Sequence, residues 1–243
     1  MNLVIDNGNS LTKIALFKKD YIVHVHIAEH LTEELFSALL KKYPVKRTII
    51  STVGNFPESI LTFLASHTKL TELSFQTKVP IINKYQTPET LGLDRLAVAI
   101  GASVVYPSSN CLVIDAGTCI TYDFINDKKE YFGGAISPGI KMRFEALNTF
   151  TAKLPLVTFD NDFSKLIGQN TIESILCGVQ NGVVNEMEGM INMYKEAFGD
   201  MNVLMCGGAG EFFDTHLKSS IFAEPNLVLI GLNAVLNNGN DSE

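Results

Sequence analysis

The chain repeats itself. Residues 3–27 (LVIDNGNSLTKIALFKKDYIVHVHI) align without gaps with residues 112–136 (LVIDAGTCITYDFINDKKEYFGGAI) at a constant offset of 109, and eight of the 25 positions are identical. Chance would give about one or two. The identities include the run Leu-Val-Ile-Asp, the Gly two places later, and Thr12 with Thr121. Each copy reads as an apolar strand ending in an acid, a tight glycine turn, a second alternating strand, a charged turn and a third strand. Between the copies the spacing predicts helices over 31–43 and 58–67, strands over 47–52 and 79–82, and a helix from 94 to 105. After the second copy it predicts helices over 140–150, 171–198 and 210–217, strands over 202–205 and 223–225, and a closing helix over 227–236. Strands followed by alternating helix and strand, done twice, describe an α/β chain of two similar domains, 1–110 and 111–243, with a cleft between them.

Composition narrows the partners. A chain of 243 residues that is 46% hydrophobic and 19% charged has the material for sizeable cores and is not disordered. Nineteen Lys and Arg against 26 Asp and Glu leave a formal charge of −7, with no basic run longer than a pair. Bulk charge therefore disfavours a nucleic-acid partner or an anionic membrane. The start, Met1 to Asp6, lacks the basic and apolar regions of a signal peptide, and no apolar run approaches the roughly 18 residues of a membrane helix. Cys111, Cys119, Cys177 and Cys206 form no C-x-x-C pair and have no His at zinc spacing, which reads as reduced thiols in a cytoplasmic protein. His24 and His26 share a strand face as a partly exposed pair.

The glycine turns carry the chemistry. Backbone N–H groups and small polar side chains in Asn7-Gly8-Asn9-Ser10 form an anion-binding concavity, and Asp6 beside it needs a cation. A nucleotide phosphate bridged by Mg²⁺ satisfies both. One such turn is most simply an Asn-Gly hairpin; two, Asp6-x-Gly8-Asn9 and Asp115-x-Gly117-Thr118, suit a polyphosphate held from two sides. A third cluster, Cys206-Gly207-Gly208-Ala209-Gly210, follows a predicted strand and lets backbone approach an adenosine closely. The dinucleotide fingerprint, the P-loop, the hydrolase elbow and the zincin motif are absent from the sequence.

The twin acid-glycine loops and the late Gly-Gly-x-Gly resemble the acetate and sugar kinase, heat-shock ATPase and actin superfamily. Within it the chain is most similar to the type III pantothenate kinases. The matching segments are Asp6 to Lys13, Tyr85 to Arg95 (Y-x₆-G-x-D-R), Asp115 to Thr121 (D-x-G-T-x-x-T), Gly133 to Gly139 (G-G-x-I-x-P-G) and Thr171 to Ile175 (T-x-E-S-I). Departures are small. Ser10 stands where Thr is usual, Leu93 where a small residue is common, and Cys119 follows the second Thr.

The resemblance implies two ribonuclease-H-like domains with an ATP cleft between them. It also implies the reaction ATP + pantothenate to ADP + 4′-phosphopantothenate, the first step of coenzyme A synthesis. It assigns Asp6, Asn7, Gly8, Asn9, Ser10, Leu11, Thr12 and Lys13, with Thr118, Gly207 and Gly208, to ATP. Tyr85, Gly92, Leu93, Asp94, Arg95 and Thr171 would bind pantothenate, with Asp94 as general base and Arg95 on the substrate's acidic end. Asp6 would hold Mg²⁺ through phosphate and water, and Asp115 a monovalent cation, K⁺ or NH₄⁺. Thr171 would reach the neighbouring subunit of a homodimer with a shared pantothenate site, across an interface built by the long helix.

Read without the resemblance, several of these residues have plainer roles. Asp94 is a first-turn acid at a helix start, Asn170-x-x-Glu173 is a capping box, and the apolar stripe of 171–198 suits an internal core helix as well as an interface. Two rival functions stay open: a kinase for another small hydroxyl acceptor, and a non-catalytic nucleotide-binding regulator of the same fold.

Overall fold

Leu3, Val4 and Ile5 are fully buried, so β1 (Asn2–Asn7) is covered on both faces. The computed structural model, which describes residues 1–8, 11–208 and 210–239, sets this strand at the centre of a five-stranded sheet of order β3-β2-β1-β4-β5. β2 (Thr12–Lys18) and β3 (Tyr21–Ala28) follow β1 as an antiparallel meander, while β4 (Arg47–Thr52) and β5 (Lys69–Glu72) add in parallel on its other side. One face packs Leu3, Ile5, Ile14, Leu16 and Ile50 against Phe36 and Leu39 of α1 (Glu33–Lys42) and Ile60 and Leu64 of α2 (Glu58–His67). Helix α1 begins where the Thr32 hydroxyl accepts from the Leu35 N–H, and it carries two acids in its first turn and two lysines in its last.

The other face is covered by α3 (Leu93–Val105) and by the closing helix, α8 (Leu227–Asn238). These two helices lie backbone to backbone. A Cβ on Gly231 would fall against the Ala97 carbonyl, and one on Gly101 against the Leu227 carbonyl. Polar side chains fix α8 to the sheet: Asn2 donates to Asn233 at 2.7 Å, and Arg47 donates to the Leu236 carbonyl at 2.8 Å and to Asn237 at 3.1 Å.

The second half repeats the meander as β7 (Cys111–Ala116), β8 (Cys119–Ile125) and β9 (Glu130–Pro138). β10 (Asn202–Gly207) pairs in parallel with β7 as β4 does with β1, and β11 (Phe222–Ala223) follows β10. The sheet order is β11-β10-β7-β8-β9-β6, where β6 (Ile82–Asn83) pairs with Glu130 and Tyr131 at the hairpin tip. Its helices are α4 (Ile140–Thr149), α5 (Thr171–Leu176), α6 (Gly182–Phe198) and α7 (Gly210–His216). Cys177–Asn181 is a π turn with right-handed helical backbone at both ends, so 171–198 is one helix carrying a local bulge.

Three sequence expectations change. The chain does not divide at one point near residue 110. One unit takes Met1–Ser108, Ile125–Phe132 and the chain from Asn226 on, and the other takes Ser109–Phe124 and Gly133–Pro225, because α8 packs on α3 and the hairpin tip pairs with β6. Of the stripe Ile172, Ile175, Val179, Val183, Met187, Met190 and Ile191, all but the exposed Ile172 lie in or against the second unit's own core, so the internal alternative describes those six. The strand expected over 79–82 is the two-residue β6, and β5 was not expected at all. Among the described residues no helix is long and apolar enough to cross a membrane.

The α3–α8 contact makes a prediction. Gly231→Ala is expected to destabilise the protein by about 1–3 kcal/mol through overpacking, whereas Gly189→Ala, in the open in α6, should be neutral or stabilise by up to about 1 kcal/mol. Urea unfolding of the two variants checks the contrast.

Candidate active site

The two acids stand near the ends of β1 and β7. Asp6 and Asp115 are half-buried, each after three fully buried residues. In the first loop the Gly8 N–H donates to the Leu11 carbonyl at 3.2 Å, closing a tight turn. The Asn7 side chain donates to the Thr52 hydroxyl and accepts from the Thr12 hydroxyl, both at 2.8 Å, so these side chains brace the turn from beneath. Lys13 is the register partner of Asp6 across β1 and β2, and Leu11 is exposed. Asn9 and Ser10 lie outside the described residues.

The second loop is held by glycines. The Gly117 N–H donates to the Cys119 carbonyl at 3.0 Å, and the Gly139 N–H to the Thr118 carbonyl at 3.2 Å. A Cβ on Gly139 would lie 2.5 Å from the Gly117 carbonyl oxygen. Gly207, with φ of 95°, has the left-handed backbone that glycine permits, and a Cβ there would lie 2.6 Å from a carboxylate oxygen of Asp115. Only glycines let the ends of β9 and β10 close on this loop. Beyond Gly207 and Gly208 opens a cavity of about 600 Å³ between Phe159, Asn161, Phe212 and Asp214. Ala209 lies outside the described residues.

The Tyr85–Arg95 segment converges on the start of α3. Arg95 is 6% exposed, and its guanidinium carbon lies 5.8 Å from the centre of the Tyr85 ring. Tyr85 in turn stacks on the buried Tyr131 at 6.5 Å and 18°. Asp94 accepts from the Arg95 N–H at 2.8 Å, and a Cβ on Gly92 would lie 2.5 Å from the same carboxylate oxygen. Gly92 thus leaves room for the acid, and Leu93 begins the helix. Thr171 is exposed at the first turn of α5, where Asn170 caps the Glu173 N–H at 2.9 Å and Glu173 accepts from the Gln169 N–H at 2.9 Å. The capping pair is therefore present and leaves the Thr171 position at the surface.

The family model for type III pantothenate kinase matches residues 2–193. A type III pantothenate kinase of Phocaeicola vulgatus is 44% identical over 237 residues, covering 97% of this chain and 98% of the relative. One of Bacteroides fragilis is 42% identical over 241 residues, 99% of each. The chain belongs to the type III pantothenate kinase family.

Solved structures agree on the fold. A Campylobacter jejuni protein described as a Baf family transcriptional activator has a TM-score of 0.64 at 18% identity, over 98% of this chain and 99% of that one. The activator of the 2-hydroxyisocaproyl-CoA dehydratase from Clostridium difficile, solved with bound ADPNP, has a TM-score of 0.55 at 12% identity, over 100% of this chain and 98% of that one. The duplicated ribonuclease-H-like architecture, implied first by resemblance, is thereby shown.

In this member of the type III pantothenate kinase family, sequence reading missed a brace beneath the second loop. Arg143, on α4, donates to Glu186 on α6 at 2.7 Å, to the Ser137 hydroxyl at 2.9 Å and to the Pro138 carbonyl at 2.8 Å. Tyr122 donates to the other oxygen of Glu186 at 3.3 Å. Glu186 thus fixes Arg143, and Arg143 fixes the segment that ends in Gly139 on the Thr118 carbonyl. Burial pushes the Glu186 carboxyl up, but hydrogen bonds from Arg143, Ser137 and Tyr122 outweigh it and hold the group below its ordinary value. Burial, with Glu186 beside it, raises the Tyr122 phenol. The only sequence signal was an Arg four places after Gly139. The cavity walls Phe159 and Asn161 gave none, since their loop has no periodicity.

A depressed carboxyl pKa stabilises the fold above the unfolded value of 4.5, and that contribution is lost as pH falls through the lower folded value. Glu186→Gln is expected to cost about 1–3 kcal/mol at pH 7. It should also shrink the stability lost between pH 7 and roughly pH 3. Urea unfolding at the two pH values, with an undiminished loss in the variant, would show that the pair contributes nothing.

Proposed function

We propose that this chain transfers the γ-phosphoryl group of ATP to the primary 4′-hydroxyl of pantothenate, giving ADP and 4′-phosphopantothenate. The observation that supports it most is the juxtaposition of a buried arginine, an aromatic ring and a carboxylate around the start of α3. Arg95 offers a carboxylate parallel N–H donors, and Tyr85 keeps that guanidinium in place. Asp94 takes the hydroxyl proton as the oxygen bonds to phosphorus and the bond to ADP breaks, and such base assistance is worth about 10²–10⁴ in rate. The loop of Asp6 to Lys13 and Thr118 would hold phosphates. The 600 Å³ cavity beside Gly207 and Gly208 has the size and aromatic walls for the adenosine end.

The residues present fit the two cations. Among the described residues no group of three or more His, Cys, Asp or Glu side chains could hold a metal. A magnesium ion shared with nucleotide phosphates uses one or two carboxylates and keeps waters, so Asp6 alone suits it. When bound, that ion neutralises charge on the phosphate oxygens. Asp115, with the carbonyls that Gly139 and Gly207 crowd, offers oxygens for a monovalent cation. We also propose a homodimer that covers Thr171, where Ile172 is 53%, Leu166 82% and Ile167 75% exposed. Such a flank of apolar side chains suits a second copy of the chain.

ADP release with Mg-ATP and pantothenate tests the reading. Turnover is expected to require pantothenate, to be higher in K⁺ than in Na⁺, and to fall about 10²-fold or more in Asp94→Asn. Nucleotide binding without pantothenate-dependent turnover would move the assignment to another acceptor or to a regulator.

A further inference from the structure

Among the described residues, one buried side-chain oxygen has no hydrogen-bond partner, the hydroxyl of Ser51. Ser51 is 1% exposed, in the penultimate position of β4. A buried hydroxyl left unpaired destabilises a fold, and packing gives no reason to keep one where alanine would fit. The serine hydroxyl is therefore in place for a partner that the protein alone does not supply.

The strand register says which partner. Ser51 is the parallel register partner of Asp6, and paired residues of neighbouring strands project from the same face. Stepping back by two along both strands passes through Val4 with Ile49 to Asn2 with Arg47, whose side chains bond α8. Asp6 and Ser51 thus share the face that α3 and α8 cover, opposite the core of Leu3, Ile5 and Ile50. The neighbouring hydroxyl, on Thr52, is already engaged by Asn7 and by Gly54.

We propose that Ser51 belongs to the cation site of Asp6, where its hydroxyl hydrogen-bonds a water in the shell of the Mg²⁺ that Asp6 shares with the nucleotide phosphates. The inference rests on the reading of the chain as a Mg-ATP kinase and adds a residue to it. Magnesium gives up its waters reluctantly, and those waters need hydrogen-bond partners in a site closed from solvent. A hydroxyl supplies one without a further charge, so the cation is steadied and still released with ADP.

The test separates a structural from a functional serine. In Ser51→Ala without metal or nucleotide, urea unfolding is expected to show a protein at least as stable as the wild type. Calorimetric titration with a non-hydrolysable ATP analogue at graded Mg²⁺ should then show the half-saturating Mg²⁺ concentration raised about 5- to 10-fold, the value of one hydrogen bond. Analogue binding without Mg²⁺ should be unchanged. A variant that is less stable or fails to fold in the absence of metal overturns the assignment, and so does an unaltered Mg²⁺ requirement. The titration contains no pantothenate. A wild type that binds Mg-nucleotide but phosphorylates no pantothenate would overturn the functional reading alone, with the role of Ser51 still decided by its own titration.

Discussion

In each half of the chain a strand runs through three fully buried residues into a half-buried acid, and this shared placement puts Asp6 and Asp115 at equivalent points of the two units. β1 and β7 are each flanked by an antiparallel hairpin partner on one side and a parallel strand on the other, and their Leu-Val-Ile runs are fully buried. The next residue in each is the acid. The chain must reverse there to begin the hairpin, so a glycine turn stands beside a carboxylate in both units. On the proposed reading, the groups for phosphate and for cation become neighbours as a consequence of packing.

The closing helix ties the first of these strands to the far end of the chain. The face of β1 that carries Asn2, Val4 and Asp6 is covered by α3 and α8, and α8 is supplied by the last described residues. Two glycines allow the helices to meet, and Arg47 ties the end of α8 to the start of β4. The first unit is therefore completed only after the second has been traversed. Its contacts span more than 200 positions, as between Asn2 and Asn233, which makes its assembly a high-contact-order step.

How much could be read beforehand follows from the range of each interaction. The repeated meanders, the parallel strands after them and most of the helices were legible because alternation, glycine turns and 3.6-residue spacing are local signals. The boundary near 110 was legible only for the sheets, since nothing local in residues 227–238 says which unit they cover. β5 and β6 are short strands without a period of their own, and the π turn at Cys177–Asn181 leaves the apolar spacing intact. Of the candidate site, the residues fixed by backbone demands stood out, Gly139 and Gly207 among them. Arg143, Glu186, Tyr131 and Phe159 did not, because each matters through a partner far away in sequence.

The two halves have also diverged where the duplication placed equivalent residues. β4 stands to β1 as β10 stands to β7, and the register sets Ser51 beside Asp6 but Cys206 beside Asp115. Both are buried, the thiol at 4% exposure and the hydroxyl at 1%. The hydroxyl beside the first acid is a full hydrogen-bonding group, whereas the thiol beside the second is only a weak one. Around the second acid the oxygens instead come from backbone, brought in by Gly139 and Gly207 and braced by Arg143 on Glu186. The neighbouring strands thus set unlike groups beside the two acids, in loops that began as copies of one another.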